Sequence, residues 1–224
     1  MNLCLFDLDH TLLPLDSDHS WGEFMVRIGW ADPAEHRAGN DAFYAQYQAG
    51  TLDVAAYIEF ATRPWRERPA AELAQVHARF MRELIEPAIL PPALALVAHH
   101  REAGDRLAIV TATNDFVTAP IARAFDVDTL IAVELERAAD GRCTGRVAGV
   151  PSFREGKVAR VEAWLAADGA RLQDFERVTV YSDSPNDLPL LEIATDPVAT
   201  NPSPALAVVA RERGWRVLNL FSPS

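Results

Sequence analysis

The sequence predicts an α/β fold: a parallel sheet covered by helices on both faces, with an all-helical domain inserted after the first strand. Three observations predict it. From about residue 88 onward, short apolar runs alternate with helix-period stretches, the pattern of strands joined by helical crossovers. Between that region and the first apolar run lies a block of about 70 residues with helical patterns and no strand, a size typical of a small domain. Three of the apolar runs end in polar segments, and in an open parallel sheet ligands bind just outside the carboxyl ends of the strands.

Leu3 to Leu8 is an apolar run interrupted by acid and reads as a buried strand. Asp7 and Asp9 stand two positions apart, so an extended backbone points both the same way. The turn-prone residues Pro14, Asp16, Ser17 and Asp18 follow. Ser20 and Glu23 have the spacing of a capping box, and Trp21, Phe24, Met25 and Ile28 form one helical stripe. Val54, Tyr57, Ile58 and Ala61 make a short helical face. Leu73, Val76, Phe80 and Leu84 make a longer one beyond the breakers Pro64 and Pro69. Pro87, Pro91 and Pro92 close the block, which sets the expected division: a core of residues 1–15 and 88–224, and a helical insertion of residues 16–87.

The second part of the core begins with a helix through Leu94 and Val97 that ends at Gly104, and a strand from Leu107 to Val110. A helix follows Asp115, with Pro120 inside it as a kink. Next come a strand from Leu130 to Val133 and a hairpin turning at Asp140-Gly141. A helix through Val158, Val161 and Leu165 leads to a strand from Val178 to Tyr181. A short helix from Leu188 to Ile193, a helix from Ser203 and a last strand from Trp215 to Leu220 complete the chain, with Ser222 to Ser224 expected as a frayed end.

Composition excludes several classes. Thirty-two acidic against 21 basic residues leave a formal net charge of −11, which disfavours nucleic acid or an anionic membrane as partner. Cys4 and Cys143 are too few for a disulfide scaffold and lack metal-ligand spacing, so they are expected as reduced thiols in a cytoplasmic protein. No apolar run approaches the roughly 18 residues of a membrane span, and Asp7 interrupts the N-terminal stretch too early for a signal-peptide core. No Gly-x-Gly-x-x-Gly follows the first strand, which disfavours a dinucleotide-binding oxidoreductase.

The chemistry is expected at the strand ends. Asp7-Leu8-Asp9-His10-Thr11 ends the first strand, Thr111-Ala112-Thr113-Asn114 the second, and Ser182-Asp183-Ser184-Pro185-Asn186-Asp187 a later one. Asp7, Asp9, Asp183 and Asp187 could converge from distant segments, and carboxylates so gathered repel one another and need a cation. A small set of oxygen ligands suits Mg²⁺, which keeps several waters and pairs with substrate phosphate. The competing reading is that each aspartate only caps a helix or fills a turn.

Asp7-Leu8-Asp9-His10-Thr11-Leu12 resembles the first motif of the haloacid dehalogenase-like (HAD) phosphohydrolases, Asp-x-Asp-x-Thr-Leu after a strand. Thr111 stands where that superfamily's second motif places a Ser or Thr, and Lys157, in Glu155-Gly156-Lys157, resembles the third. The segment from Ser182 to Asp187 is similar to the Gly-Asp-x-x-Asn-Asp fourth motif of the phosphoserine-phosphatase-like branch (subfamily IB), whose cap matches the helical block. The resemblance covers nearly the whole chain and implies a Rossmann-like core.

By that resemblance the protein is expected to be a Mg²⁺-dependent phosphatase of a small phosphorylated metabolite. Asp7 is then the nucleophile that forms an aspartyl-phosphate, and Asp9 the acid that protonates the leaving oxygen and afterwards activates water. Thr111 donates to a phosphate oxygen and Lys157 supplies fixed positive charge. Asp183 binds Mg²⁺ together with Asp7 and the backbone carbonyl of Asp9. Asp187 holds the metal directly or through water, and Asn186 orients the loop and contacts substrate. Ser182 in place of Gly, and Ser184-Pro185 between the acids, depart from the commonest form of the fourth motif.

In the same branch an acidic residue after the first motif binds the substrate's amino group. Asp16 stands at that place, and would favour an amine-bearing ester; a turn or cap role for Asp16 or Asp18 is the competing reading. Arg27, Arg37, Arg63 and Arg66 are candidates for the cap arginine that phosphoserine phosphatases use on the substrate carboxylate. Histidinol-phosphate phosphatases, which are similar over this region, have an amine but no carboxylate to bind. His99-His100 reads as a solvated helix end and Trp21, Trp30 and Trp65 as packing. A phosphotransferase with the same first step, or a non-catalytic phosphate-binding relative, remains the alternative.

Overall fold

The computed structural model describes residues 1–221; the expected frayed end at Ser222 to Ser224 lies outside them. A six-stranded parallel sheet has the order β3-β2-β1-β6-β7-β8, formed by β1 (Leu3–Phe6), β2 (Arg106–Asn114), β3 (Leu130–Val133), β6 (Val178–Ser182), β7 (Asp196–Thr200) and β8 (Arg216–Leu218). The chain runs outward from β1 through β2 to β3, then returns to the other side of β1 with β6. That reversal beside β1 is the switch point where such sheets bind ligands. The short strands β4 (Leu135–Arg137) and β5 (Cys143–Val147) pair as the antiparallel hairpin expected at Asp140-Gly141.

Every residue of β1 is buried, and its side chains alternate between two cores. Leu3 and Leu5 join Ala108, Val110 and Val180 on one face, under α7 (Glu155–Ala167), α8 (Leu188–Glu192) and α9 (Pro204–Arg213). Cys4 and Phe6 join Ile109 and Tyr181 on the other, under α5 (Pro91–Glu102) and α6 (Asp115–Ala124). Both cysteines are buried free thiols.

Between β1 and β2 the chain is helical: α1 (Ser17–Arg27), α2 (Pro33–Gln48), α3 (Val54–Thr62) and α4 (Ala70–Phe80), the last prolonged by a wider turn at Met81–Ile85. This insertion packs on the core through aromatic rings. Trp65 stacks on Phe116 of α6 with centroids 4.3 Å apart, and Trp21 meets both Phe80 and Phe116 edge-on.

Four local expectations need correction. The strand expected at Leu107–Val110 runs on to Asn114, because Thr111 and Thr113 continue the extended backbone and put their hydroxyls beyond the sheet. The cap of α1 is Asp16, whose carboxylate accepts from the His19 N–H at 2.8 Å, so Ser20 lies inside the helix instead of starting it. His100 is 5% exposed, not solvated: Nδ1 meets Asp105 at 2.7 Å and Nε2 meets the Tyr181 hydroxyl at 2.8 Å. Strand β7 has no counterpart among the expected elements, and Pro197, which lacks an N–H, argues against an inner strand there.

Candidate active site

Three strand ends at the centre of the sheet supply the polar floor of a cavity of about 410 Å³, and the helical insertion supplies its walls. Asp7 follows β1, its N–H still donating to the Tyr181 carbonyl at 2.9 Å. One carboxylate oxygen accepts from Lys157 Nζ at 2.8 Å and the other from the Thr11 hydroxyl at 3.1 Å. The turn after Asp7 is sharp: His10 has φ of +58°, and Asn201, beyond β7, donates to the His10 and Thr11 carbonyls at 3.0 and 3.2 Å. Asn201 fixes the loop that carries both aspartates, a role visible only once β7 is placed.

Asp9 sits in a polar cradle. The Ser17 N–H at the start of α1 and the Thr113 hydroxyl each donate to it at 2.8 Å. Burial, then the negative charge of Asp16, raise its pKa well above the usual carboxylate range, although the Ser17 contacts pull the other way. A carboxyl so placed holds a proton readily. Thr111 is buried with its oxygen accepting from the Thr113 N–H at 3.1 Å, and it lines the same cavity.

Lys157 is 2% exposed, in the first turn of α7. The helix begins tightly: a Cβ on Gly156 would collide with the Pro151 carbonyl oxygen, so only glycine lets the backbone come that close. Its Nζ bridges Asp7 and Asp187, meeting the Asp187 carboxylate at 2.7 Å. Burial alone would lower the Lys157 pKa; the charges of Asp187 and then Asp7 outweigh it and hold the ammonium firmly protonated. Asp187 also accepts from Ser182 at 2.8 Å, which gives the serine that replaces the usual glycine a task. Asp187 does not line the cavity, whereas Asp183 does. Burial, then the charges of Asp7 and Asp187, push Asp183 well above the usual carboxylate range.

Asn186 spends its side-chain N–H on the Tyr47 carbonyl, at 2.9 Å, and so joins the fourth-motif loop to the end of α2. Asp16 lines the cavity mouth as well as capping α1. None of the arginines expected at a substrate carboxylate reaches the cavity. Arg27 pairs with Glu83 and Arg63 with Glu35, Arg37 is exposed, and Arg66 lies over Gly145 of the hairpin. Sequence reasoning gave no role to Ser17, Thr113 and Ser182, nor to Asn201, which position the acids or their loop. The first three are hydroxyl residues in or beside a recognised motif, which was the signal that could have found them.

Paired acids, a buried ammonium and hydroxyl donors under a helical cap are the parts of a phosphoryl-transfer hydrolase. The family of haloacid dehalogenase-like hydrolases matches residues 4–192, and the chain belongs to it. It is a phosphatase of that family. A histidinol-phosphatase of Neisseria meningitidis serogroup C (strain 8013) is 44% identical, over 97% of this chain and 98% of its own. The phosphoserine phosphatase SerB1 of Mycobacterium tuberculosis (strain ATCC 25618 / H37Rv) is 32% identical over 95% of this chain and 68% of its own. A solved structure of a protein with unknown function from Bordetella pertussis Tohama I has a TM-score of 0.92 at 53% identity, covering 98% of this chain and 99% of that one. A substrate-bound phosphoserine phosphatase shares the fold, with a TM-score of 0.67 at 18% identity over 96% and 91% of the two chains. Among the described residues no helix is long and apolar enough to cross a membrane.

Proposed function

We propose that this protein hydrolyses a small, amine-bearing phosphate monoester, with histidinol phosphate the leading candidate, through an aspartyl-phosphate on Asp7. The observation that carries the reading is Asp7 held between Lys157 and Thr11 on the cavity floor, with Asp9, two residues on, held by the Ser17 N–H and the Thr113 hydroxyl. The likeness to a histidinol-phosphatase and the lack of any lysine or arginine among the described lining residues support the choice of ester.

In the first step an Asp7 carboxylate oxygen attacks phosphorus, the ester P–O bond breaks, and the Asp9 proton passes to the leaving oxygen, releasing the alcohol. In the second, water attacks the phosphorus of the acyl phosphate, its proton goes to Asp9, and phosphate leaves with Asp7 regenerated. Lys157 offsets charge on the transferring group, and Thr111 donates its hydroxyl to a phosphate oxygen. Asp187 and Ser182 keep Lys157 in place, and Asp187, which does not line the cavity, would support a metal only from outside it.

The donor set suits Mg²⁺. Asp7 and Asp183 would hold it with the Asp9 backbone carbonyl, all hard oxygens, and Asp183 has no cationic partner among the described ion pairs. Among the described residues no three His, Cys, Asp or Glu side chains are already gathered for an ion. When bound, the ion would neutralise the phosphate dianion as the anionic nucleophile approaches.

The test is phosphate release from histidinol phosphate, phosphoserine, phosphoethanolamine, sugar phosphates and p-nitrophenyl phosphate, with Mg²⁺ and then with EDTA. Histidinol phosphate should lead and EDTA should stop release. Asp7→Asn should abolish turnover while its circular dichroism melt stays cooperative; turnover near the wild-type rate would remove Asp7 as nucleophile. A transferase would release phosphate only when an alcohol acceptor is withheld or would phosphorylate that acceptor in preference to water.

A further inference from the structure

The cavity wall at the start of α1 has a composition of its own. Five aspartates line the cavity, Asp7, Asp9, Asp16, Asp18 and Asp183, and no lysine or arginine stands among the described lining residues. Asp18 belongs to none of the four motifs. It is 8% exposed, in the first turn of α1, yet it does not cap that helix, because Asp16 does. The Asn114 amide lies 3.4 Å from one of its oxygens, and the Tyr57 hydroxyl of α3 faces the same carboxyl. No cationic side chain pairs with it among the described ion pairs. Burial, then the charge of Asp16, hold the carboxyl up at about 7, so a cation arriving beside it would favour its ionised form.

The wall next to Asp18 is aromatic. Phe43 and Tyr44 of α2 and Tyr57 of α3 line the cavity, and Phe43 meets Tyr57 edge-on with centroids 5.3 Å apart. Tyr44 is 52% exposed at the rim, an aromatic face left open where a ring could lie. Buried carboxylate next to aromatic faces is a setting that favours a flat or compact cation.

We infer that Asp18, oriented by Tyr57 and Asn114, is a specificity-determining residue that receives a cationic nitrogen of the substrate. Phe43, Tyr44 and Tyr57 take the face of the ring that bears or adjoins that nitrogen. An ester that carries a carboxylate in place of that nitrogen meets Asp18 and Asp16 with no guanidinium to offset them, and is rejected. This rests on the phosphatase reading of the same cavity and adds to it a residue and a reason for discrimination.

The experiment compares wild type with Asp18→Asn, which keeps the shape and removes the charge. The quantity read is kcat/KM for histidinol phosphate divided by kcat/KM for p-nitrophenyl phosphate, whose far end carries no cation. Loss of one charge-assisted contact should lower that ratio about 10- to 100-fold, mainly through KM for histidinol phosphate. Free histidinol should also bind Asp18→Asn more weakly than wild type by calorimetry. An unchanged ratio, whether both esters slow or neither does, overturns the inference. If Asp18→Asn does not fold, Tyr57→Phe takes its place, with an expected fall of about 3- to 10-fold for one neutral hydrogen bond, and an unchanged ratio again overturns it. Should wild type release phosphate from no ester, the phosphatase reading fails, and histidinol binding still decides on Asp18: equal affinity in both proteins overturns its role.

Discussion

Lys157 and Asp18 show two ways of placing a buried charge. Lys157 is enclosed between two carboxylates and stays charged at the cost of desolvation, which the pairing offsets. Asp18 has no such partner, and its charge weakens the fold. Its folded pKa of about 7 stands above the unfolded value near 4, so the native state binds the proton more tightly. As pH rises from about 4 to about 7 the unfolded chain gives up that proton first and stability falls; above 7 the whole penalty applies. Three units correspond to about 4 kcal/mol, an upper figure for this one group. Asp18→Asn should therefore melt higher than wild type at pH 8 and by a smaller margin at pH 5, the gap growing by about 2–3 kcal/mol between them. A gap that stays constant with pH, measured by denaturant titration at both values, would show that Asp18 is not held out of its usual range. Asp7, Asp9 and Asp183 were legible from the sequence because each lies in a short motif at a strand end. The Asp18 pocket was not, since it forms only when α1, α2 and α3 pack around residues spaced far apart in the chain.

At the scale of elements, the insertion is tied to the core by hydrogen bonds to the end of one helix. The Tyr47 carbonyl accepts the Gly50 N–H at 3.0 Å and keeps a second lone pair, and the Gly50 carbonyl lies two residues past the end of α2. Asn186 donates to the Tyr47 carbonyl, and Arg154 Nη1 donates to the Gly50 carbonyl at 2.9 Å. Arg154 reaches it from a strained backbone, φ +50° and ψ −122°, in the residue that caps the helix carrying Lys157. The same turn thus starts the helix of the third motif and holds α2 over the cavity. Arg154→Ala should leave the sheet intact and free the end of α2. Hydrogen exchange at its last amides should quicken about five-fold, as expected for one hydrogen bond of about 1 kcal/mol. Exchange as slow as in wild type would mean the tie is not closing the cavity. The sequence showed the helical character of this block but not the tie, because carbonyls carry no side-chain signature. It also hid β7, whose Pro197 argues against an inner strand. Pairing with β8 starts at Val198, one residue later, so the missing N–H of Pro197 costs no bond on that side.

Over the whole molecule, charge is concentrated where the sheet and the insertion meet. The chain carries a net −11, and five of its aspartates face one cavity; the buried ammonium of Lys157 behind it is already committed to Asp7 and Asp187. Helix and strand patterning alone predicted two bodies joined at the strand ends, and the cost of that junction is electrostatic: the acids that do the chemistry repel one another across it. A divalent cation at Asp7 and Asp183 would relieve the repulsion in the folded chain and have no comparable site in the unfolded one. Folding stability should then rise with Mg²⁺ concentration, by about 2.7 kcal/mol at a hundred times the dissociation constant. Thermal melts with EDTA and with increasing Mg²⁺ read this without any substrate. Asp183→Asn should melt higher than wild type in EDTA, since it removes a carboxyl penalised by burial and by the charges of Asp7 and Asp187, and should lose most of the Mg²⁺-dependent shift. Equal shifts in the two proteins would place the ion elsewhere, and no shift in wild type would mean that the carboxylates are neutralised by protons instead. That outcome would show as a wild-type stability that falls steadily from acid toward neutral pH, the direction set by the raised pKa values of Asp7, Asp9 and Asp183.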